Sequence, residues 1–571
     1  MYKPFKYILT FIVLFCSVSF MYSQEKDTIQ TDVINVVKPY TPSISDAFKV
    51  KTTPTLEDNV TTEKKDIDYN ILSVPVASTF IPTKGKATMI ERKKPDVFYE
   101  NYLTFGYGTY GNLISELYVT KEFKRIGSFG ARVTQEMSKD GIKDKALDDS
   151  FTTTDIELEY IQRLRDLTWS VKGGLERQRF NWYGVEDAYN RGNKDVSHNY
   201  YDLYLIGDFT FDYTYVKSAS LTLRRFYDDF ESTENHLKFN GKVDLPIMDE
   251  EITTDVRLEY FSGHAGNRYA SEQVPEYGNI LFGVSPSYKL RQDDLTLNIG
   301  ASAYYMIGIN STESNFYIYP NITGSFRIVD DALIAYGGLT GDVIQNTYRD
   351  FVQDNQFLSP TINVKPTDNS FDAYVGMLGK FTSNIGYNFK LGYMSEDDKA
   401  LFRKNQFSDR GATTAYKYGN SFEVVYDDVK TIHALGELTV DWDTHLKMGL
   451  RAEYMNYNTD VEAEAWNLPN IKASVFGDYM SDQKWFAGAN IFYVGGRKDL
   501  DVINSGSNQT TETISLKGYI DLNINGGYNL NNRFTVYLKL NNIANQSYQR
   551  WSNYNVQGFQ ILGGATYKFD F

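Results

Sequence analysis

Cysteine is almost absent from this chain of 571 residues, in which Cys16 is the only one. A single cysteine cannot form an intramolecular disulfide, so a small secreted fold held together by disulfide bridges is excluded. Histidine is also scarce: the five residues are His198, His236, His264, His433 and His445. None of them has the spacing that would place two metal ligands on one helical face. The sequence therefore predicts no metal centre and no cofactor.

Long apolar runs are missing as well. Mean hydropathy is −0.42 although 15% of the residues are aromatic, whereas a membrane-spanning helix needs about 18 consecutive apolar residues or more. The nearest approach is the segment from Tyr7 to Phe20, which Lys3 and Lys6 precede. A short apolar core with a basic flank is typical of a secretory signal peptide. We therefore expect residues 1–24 to be a signal peptide that is cleaved near Ser23 or Gln24.

Basic residues do not outnumber acidic ones. Without Lys3 and Lys6, 56 of the 58 basic residues remain against 73 acidic residues, which gives a net charge of −17. Nucleic acid is therefore not an expected partner, because phosphate binding needs basic patches. Neither a glycine-rich phosphate loop nor a nucleophile elbow is found, so no catalytic residues and no enzymatic activity are expected. The alternative, if the chain forms a β-barrel, is a hydrolase with His264 at the rim of that barrel.

Glycine is nearly missing before Phe98: only Gly85 of 42 glycines lies there, together with seven of the 14 prolines. This composition predicts that residues 25–97 form an extended or disordered periplasmic arm. Two apolar pieces interrupt the arm, Val33 to Val37 and Ile71 to Val76. Each of them either adds a strand to a partner, lies inside a barrel lumen, or is a plain β-prone linker.

Residues 98–571 show apolar and polar residues alternating with a period of two. In the final stretch, Val556 to Phe571, the aromatic residues of the last five positions share one face, while Lys568 and Asp570 share the other. A free chain end with such an apolar edge invites aggregation in a soluble sheet. In lipid, where every backbone group must be paired, it closes a barrel. The alternative is an ordinary amphipathic strand of a soluble sandwich. The pattern predicts an all-β fold, a transmembrane antiparallel β-barrel.

Connections alternate between short and long, as in barrels with short periplasmic turns and long extracellular loops. With the arm in the periplasm the strand number must be even. We predict about 22 strands, with residues 397–430 as one extracellular excursion, and 18 or 20 as alternatives. The lumen of such a barrel is too wide for wall side chains to fill, so the arm and the long loops fill it or it is open. The residues expected to line it are Lys447, Arg451, Glu453, Lys517 and Asp521.

The C-terminal sequence resembles a known family. The stretch from Asn532 to Tyr548 is similar to the penultimate strand and Asn-rich loop of TonB-dependent receptors, and Gly558 to Phe571 resembles their last strand. The resemblance also implies that the terminal aromatics form the outer-membrane insertion signal read by the barrel assembly machinery. These aromatics are Tyr567, Phe569 and Phe571. The aromatic-rich composition resembles that of Bacteroidota outer-membrane proteins.

The resemblance implies an outer-membrane protein in contact with lipid that takes up or passes an unknown small ligand. It also implies a contact with TonB by strand addition, through a short segment that is similar to this one: Asp32, Val33, Ile34, Asn35, Val36 and Val37. The chain departs from the family because the arm is too short for a full plug domain. The alternative function is therefore a structural or scaffold barrel whose arm binds another periplasmic envelope protein.

Overall fold

The structure, a computed structural model, describes residues 99–571 apart from short gaps. The gaps are 124–126, 144, 146, 186–194, 213, 248–249, 270–272, 311, 406–413, 444, 482–483 and 506–507. The expected signal peptide (residues 1–24), the expected arm (residues 25–97) and the TonB-box-like segment (residues 32–37) lie outside the described residues.

Within the described residues, 22 strands form one closed antiparallel sheet, which confirms the predicted barrel. In the first half of the chain the strands of this sheet are β1 (Asn101–Gly108), β2 (Leu113–Phe123), β3 (Gly127–Ser138), β4 (Phe151–Arg163), β5 (Leu167–Asn181), β6 (Ser197–Phe211), β7 (Val216–Asp228), β8 (Thr233–Ile247), β9 (Glu250–His264), β10 (Glu276–Gln292) and β11 (Leu295–Asn310). The others are β12 (Asn315–Val329), β13 (Leu333–Ile344), β14 (Thr367–Thr382), β15 (Ile385–Lys404), β16 (Phe422–Asp441), β17 (Leu446–Thr459), β18 (Ile471–Ser481), β19 (Trp485–Val494), β22 (Tyr519–Asn529), β23 (Phe534–Asn541) and β26 (Gln560–Phe569). Two hairpins lie outside this sheet, β20 (Arg497–Ser505) with β21 (Asn508–Leu516), and β24 (Gln549–Trp551) with β25 (Tyr554–Asn555).

The barrel closes between its last and first strands. β26 pairs with β1 from Phe569 opposite Asn101 to Leu562 opposite Gly108. A β-carbon on Gly108 would lie 2.2 Å from the carbonyl oxygen of Ile561, so the close approach of the two backbones requires glycine there. The final strand thus seals the wall as its alternation predicts.

An apolar belt covers the outside of the wall. On β17, Met448, Leu450 and Tyr454 are exposed while Gly449 between them is buried. Exposed aromatic side chains recur near both strand ends, for example Trp485 and Tyr493 at the two ends of β19. This is the pattern of a lipid-facing band with aromatic girdles. The outer face of the barrel is therefore suited to hydrocarbon.

Short turns gather at one end of the barrel, here called the turn end, and long connections at the other, here called the loop end. The expected long excursion needs correction, because β15 and β16 remain paired as far as Lys404 opposite Phe422. Half of residues 397–430 therefore belong to a projecting hairpin, and residues 405–421 form its connection. Extended pairing beyond the apolar belt explains the error, since polar hairpin residues read as loop in a sequence.

A second correction concerns Lys517, which the sequence places with Asp521 on the lumen-facing side of one alternating strand from Ile514 to Ile524. The structure has two, because β21 ends at Leu516 and β22 begins at Tyr519. In a single strand Leu516 and Ile520 would share a face, but Leu516 is buried whereas Ile520 is exposed. The link between the two strands therefore changes which positions are buried. Lys517 lies in this link and is exposed, which places it outside the barrel strands. The apolar–polar alternation continues through the link, so the sequence does not reveal that one strand ends and another begins there.

Helical structure is limited to one α-helix, α1 (Tyr348–Asp354), and a 3-10 turn at Thr109–Gly111 in the part of the chain that the structure describes. Thr347 caps α1 by accepting a hydrogen bond from the Asp350 amide at 2.9 Å, as N-cap threonines do. In the same part of the chain, no helix has the length and apolar character needed to span a membrane.

Candidate functional site

An apolar cluster packs at the loop end of the barrel. It combines side chains near the ends of β5, β6, β7, β9, β10 and β16 with side chains from the long connections. We call it the cap core. Its members are Leu147, Phe180, Trp182, Val185, Val196, Tyr200, Phe226, Phe261, Tyr277, Tyr348, Phe351, Val352, Phe357, Leu358, Ile362, Val364, Ala415, Tyr416, Phe422, Trp551 and Tyr554. None of them is more than 8% exposed. The loops therefore fold inward over the barrel mouth.

Aromatic stacking dominates the cap core. The rings of Phe357 and Tyr554 stack with centroids 3.6 Å apart, and Trp182 stacks on His198 at 3.9 Å. Burial of each large side chain contributes about 1.5–3 kcal/mol, and an aromatic pair adds about 0.5–1.5 kcal/mol. A cluster of this size is a packed structure. The structure thus shows loop side chains packed together at the loop end, whereas the arm lies outside the described residues.

The largest share of the cap core comes from the connection between β13 and β14, residues 345–366, which carries α1. Polar contacts join α1 to the wall: the Tyr348 hydroxyl donates to Asp228 Oδ2 at 2.9 Å, and the Tyr348 amide donates to Glu234 Oε2 at 2.6 Å. Burial raises the pKa of the Tyr348 hydroxyl well above its usual value, so this hydroxyl remains a neutral donor. Arg349 Nε donates to Asp202 Oδ2 at 3.0 Å.

Beneath the cap core the inner wall carries paired charges. Glu259 lies 2.6 Å from Arg257, 2.9 Å from His236 and 3.3 Å from Lys238. The side chain of Glu259 is 0% exposed, whereas that of Asp255, closer to the turn end on the same strand, is 51% exposed. Exposure of inward charges therefore increases with distance from the cap core, so the wetter part of the lumen wall faces the turn end.

The predicted lumen residues do not form one group. Lys447, Arg451 and Glu453 lie on the face of β17 opposite the exposed belt. Arg451 pairs with Glu453 and, at 2.7 Å, with Glu437 of β16, which sequence reasoning missed.

Asp521 lies apart on β22, where it is 5% exposed and accepts a hydrogen bond from the Tyr548 hydroxyl at 2.7 Å. Tyr567 and Phe569 belong to β26, and Phe571 follows it and is 75% exposed. Their role as an insertion signal remains a prediction.

A polar recess in the inner wall is another feature that the sequence did not reveal. Its volume is about 520 Å³, and small side chains such as Ser218, Ser220 and Ser285 leave the space. Its charged lining residues are Asp208, Lys238, Lys242, Asp255, Arg257 and Asp342. The available signal was the run of small inward residues on β7, which single-sequence alternation treats as ordinary polar positions.

The described ranges also contain the rim histidine and the residue types that bind metals. No group of three or more His, Cys, Asp or Glu side chains there is arranged to hold a metal ion. The ring Nδ1 of His264, the rim histidine of the hydrolase alternative, lies 3.2 Å from the Thr233 hydroxyl.

A buried carboxyl group joins the β20–β21 hairpin to the projecting β15–β16 hairpin. Asp499 is 0% exposed, and its Oδ1 accepts from the amides of Lys404 at 3.1 Å and Leu500 at 2.8 Å. Burial raises the pKa of Asp499 to about 6. The neighbouring Asp501 pairs with the buried Lys404 ammonium at 2.5 Å.

The raised pKa of Asp499 predicts a pH dependence of hairpin docking. The docked state binds the proton more tightly than the undocked state, so its extra stability is present below pH 4 and is lost as pH rises from about 4 to 6. Because the amide that replaces the carboxylate would carry no charge, we expect Asp499→Asn to slow hydrogen exchange of the hairpin about tenfold at pH 7.5 and to leave it unchanged at pH 4. Mass spectrometry compares the two proteins at each pH.

The matched variant Asp501→Asn should act in the opposite direction at pH 7.5, because it leaves the Lys404 ammonium buried without its partner. Equal acceleration of exchange by both substitutions would show that the Asp499 carboxylate stabilises docking, contrary to this prediction.

Comparison with known proteins is informative only at the level of fold. No protein-family model matches the chain, and no curated protein matches its sequence. The ferripyoverdine receptor of the Pseudomonas aeruginosa outer membrane matches with a TM-score of 0.59 and 12% identity, over 84% of this chain and 73% of that one. The chain has the barrel fold of outer-membrane receptors.

Two further solved structures agree. The FrpB iron transporter from Neisseria meningitidis has a TM-score of 0.63 at 11% identity, over 83% of this chain and 82% of that one. The ferric-catecholate import receptor Fiu from E. coli K12 has a TM-score of 0.59 at 10% identity, over 84% and 82%. At these identities the likeness establishes the architecture of the barrel.

Proposed function

We propose that this protein is an outer-membrane barrel that takes up or passes a small polar ligand, and that the loop cap closes its outer mouth between passages. The turn end and the arm then face the periplasm, and the apolar belt contacts outer-membrane lipid. The observation that carries the proposal is a closed barrel of 22 strands with a charged inner wall. The solved structures of this fold named above are receptors and transporters, which supports the same class of function.

Paired charges along the wall suit a polar ligand in transit. A side chain such as Arg451, held between Glu437 and Glu453, can exchange one of its carboxylate partners for a ligand group without being left unpaired. Lys447 is more exposed and has a distant partner, Asp441, at 3.8 Å. The recess of about 520 Å³ lies within the range of about 300–1,000 Å³ of small-molecule sites. We assign ligand contact to this wall.

A second function is favoured by a specific observation, the dry cap core itself. A mouth over which aromatic rings stack also suits a structural or scaffold barrel that passes nothing and holds a periplasmic partner through its arm. In either case we propose residues 32–37 as the partner-binding segment. TonB, or another envelope protein, would bind it by strand addition, in which backbone hydrogen bonds supply the affinity.

Conductance in planar bilayers tests the proposed function. We expect the full chain to open rarely, because the cap core must separate first, and a variant lacking residues 25–97 to carry more current in each opening. The comparison of current per opening isolates the arm, since the cap is the same in both proteins. Silence of both proteins, and also of the variant without the β13–β14 connection described below, would contradict passage and favour the scaffold.

A further inference from the structure

One connection reaches over part of the barrel mouth. Residues 345–366 leave the wall at Ile344 and return at Thr367, which pair with each other at the top of β13 and β14. Between these points the segment reaches β6 across the mouth, where the Gln356 carbonyl accepts from His198 Nε2 at 3.0 Å and from the Tyr200 hydroxyl at 3.2 Å. The segment, here called the strap, therefore reaches over the mouth from its base on β13 and β14 to the wall at β6.

The fixed side carries two irregularities at the same height. The pairing of β13 with β14 shifts register between Thr340 and Asp342, and the pairing of β14 with β15 shifts between Asn369 and Phe371. A bulge bends a strand locally and disrupts the ladder. Both strands that carry the strap thus have a disrupted ladder near its base, where a hinge can form.

The free side is held by a buried charge. The Asp202 side chain is 0% exposed and pairs with Arg224 of the wall and with Arg349 of the strap. Breaking a buried pair by removal of one partner is strongly destabilising, because a charge is left uncompensated. Here Arg224 remains beside Asp202 when Arg349 leaves. The wall can therefore release the strap without leaving the Asp202 carboxylate alone.

We propose that residues 345–366 move as one lid, hinged at the paired bulges, and that the ion pair between Arg349 and Asp202 is the catch that keeps the lid closed. The inference rests on the proposed function for its purpose, since a lid serves passage. Its geometry stands on the contacts alone.

Cysteine labelling tests the lid directly. The mature chain has no cysteine of its own if residues 1–24 are removed, so a single introduced thiol can be followed cleanly. Ser359 lies in the lid, is 0% exposed, and donates its hydroxyl to the Phe422 carbonyl at 3.2 Å. We expect Ser359→Cys to react slowly with a charged maleimide, and at least tenfold faster when Arg349→Ala is added. Arg349→Lys should restore part of the protection, because it keeps the charge.

Lys365→Ala is the matched control, since Lys365 is a cation of the same segment whose pair with Asp398 is about half exposed. Exposed pairs contribute about 0–1 kcal/mol, so the labelling rate should stay within about twofold. Val461→Cys, at an 84% exposed position, reports full reactivity. Heat-modifiable electrophoretic mobility confirms that each variant is a folded barrel.

Equal labelling of Ser359→Cys with and without the Arg349→Ala substitution, in folded barrels, would overturn the catch. Labelling needs neither ligand nor ion flow, so it separates the two proposals. A lid that opens in a barrel that never conducts would overturn the proposed function alone, whereas conduction with unchanged labelling would overturn the lid alone.

Discussion

Removal of residues 560–571 should abolish the folded barrel completely. The deleted strand β26 pairs with β1 along one edge and with β23 along the other, over eight residue pairs each. Without it, both neighbours would expose unpaired backbone groups to lipid, where each unsatisfied group costs several kcal/mol. The gap is too wide for β1 and β23 to meet without a shift of the whole sheet.

Heat-modifiable mobility in electrophoresis measures this effect, because only a folded barrel migrates anomalously before boiling. The matched control replaces the longer segment 497–516, the β20–β21 hairpin, with a short glycine turn. Val494 and Tyr519 already pair at the top of β19 and β22, so a tight turn can join them. This variant should stay folded, and a folded barrel after loss of β26 would refute the closure argument.

A point substitution distinguishes the role of the C-terminus in closing the barrel from its role in membrane insertion. Phe571 follows β26 and is 75% exposed, so Phe571→Ala removes little packing from the finished barrel. If the terminal aromatics are the signal read by the barrel assembly machinery, the variant should insert more slowly in cells and be equally stable once folded. Unchanged insertion would remove the role proposed for Tyr567, Phe569 and Phe571.

The parts of the fold that follow from the sequence are those in which local pattern decides. Alternation along β17 and β26 identifies the lipid-facing side chains, and turn residues mark the strand ends. The position of Lys517 could not be predicted, because the apolar–polar alternation continues through the link after Leu516 although one strand ends there and another begins. Register between strands is set by neighbours that a single stretch does not contain.

The cap core was beyond prediction for a related reason. Trp182, Phe357 and Tyr554 come from three connections that lie far apart in the chain, and they meet only once the barrel brings the connections together. In a sequence each looks like a loop aromatic or a girdle residue. The catch is hidden in the same way, since Asp202 alternates like any inward residue and its partner Arg349 lies 147 positions later.

Replacement of residues 346–365 with two glycines should convert the closed barrel into a permanently conducting one. Because Ile344 and Thr367 pair directly, a two-residue turn can join β13 to β14 without disturbing the wall. The cap core would lose seven of its side chains, Tyr348, Phe351, Val352, Phe357, Leu358, Ile362 and Val364. Measured in planar bilayers with residues 25–97 also removed, mean current should rise at least tenfold over the variant with the intact connection.

Shortening of the β20–β21 hairpin is the control for this experiment, because it removes a connection at the same end that supplies no cap-core residue. Its current should remain that of the closed barrel. If both shortened proteins are silent while their barrels are folded, the seal does not reside in the β13–β14 connection. The lumen would then be blocked below the cap core, where paired side chains such as Arg257 and Glu259 face inward, and a scaffold role would follow for the barrel.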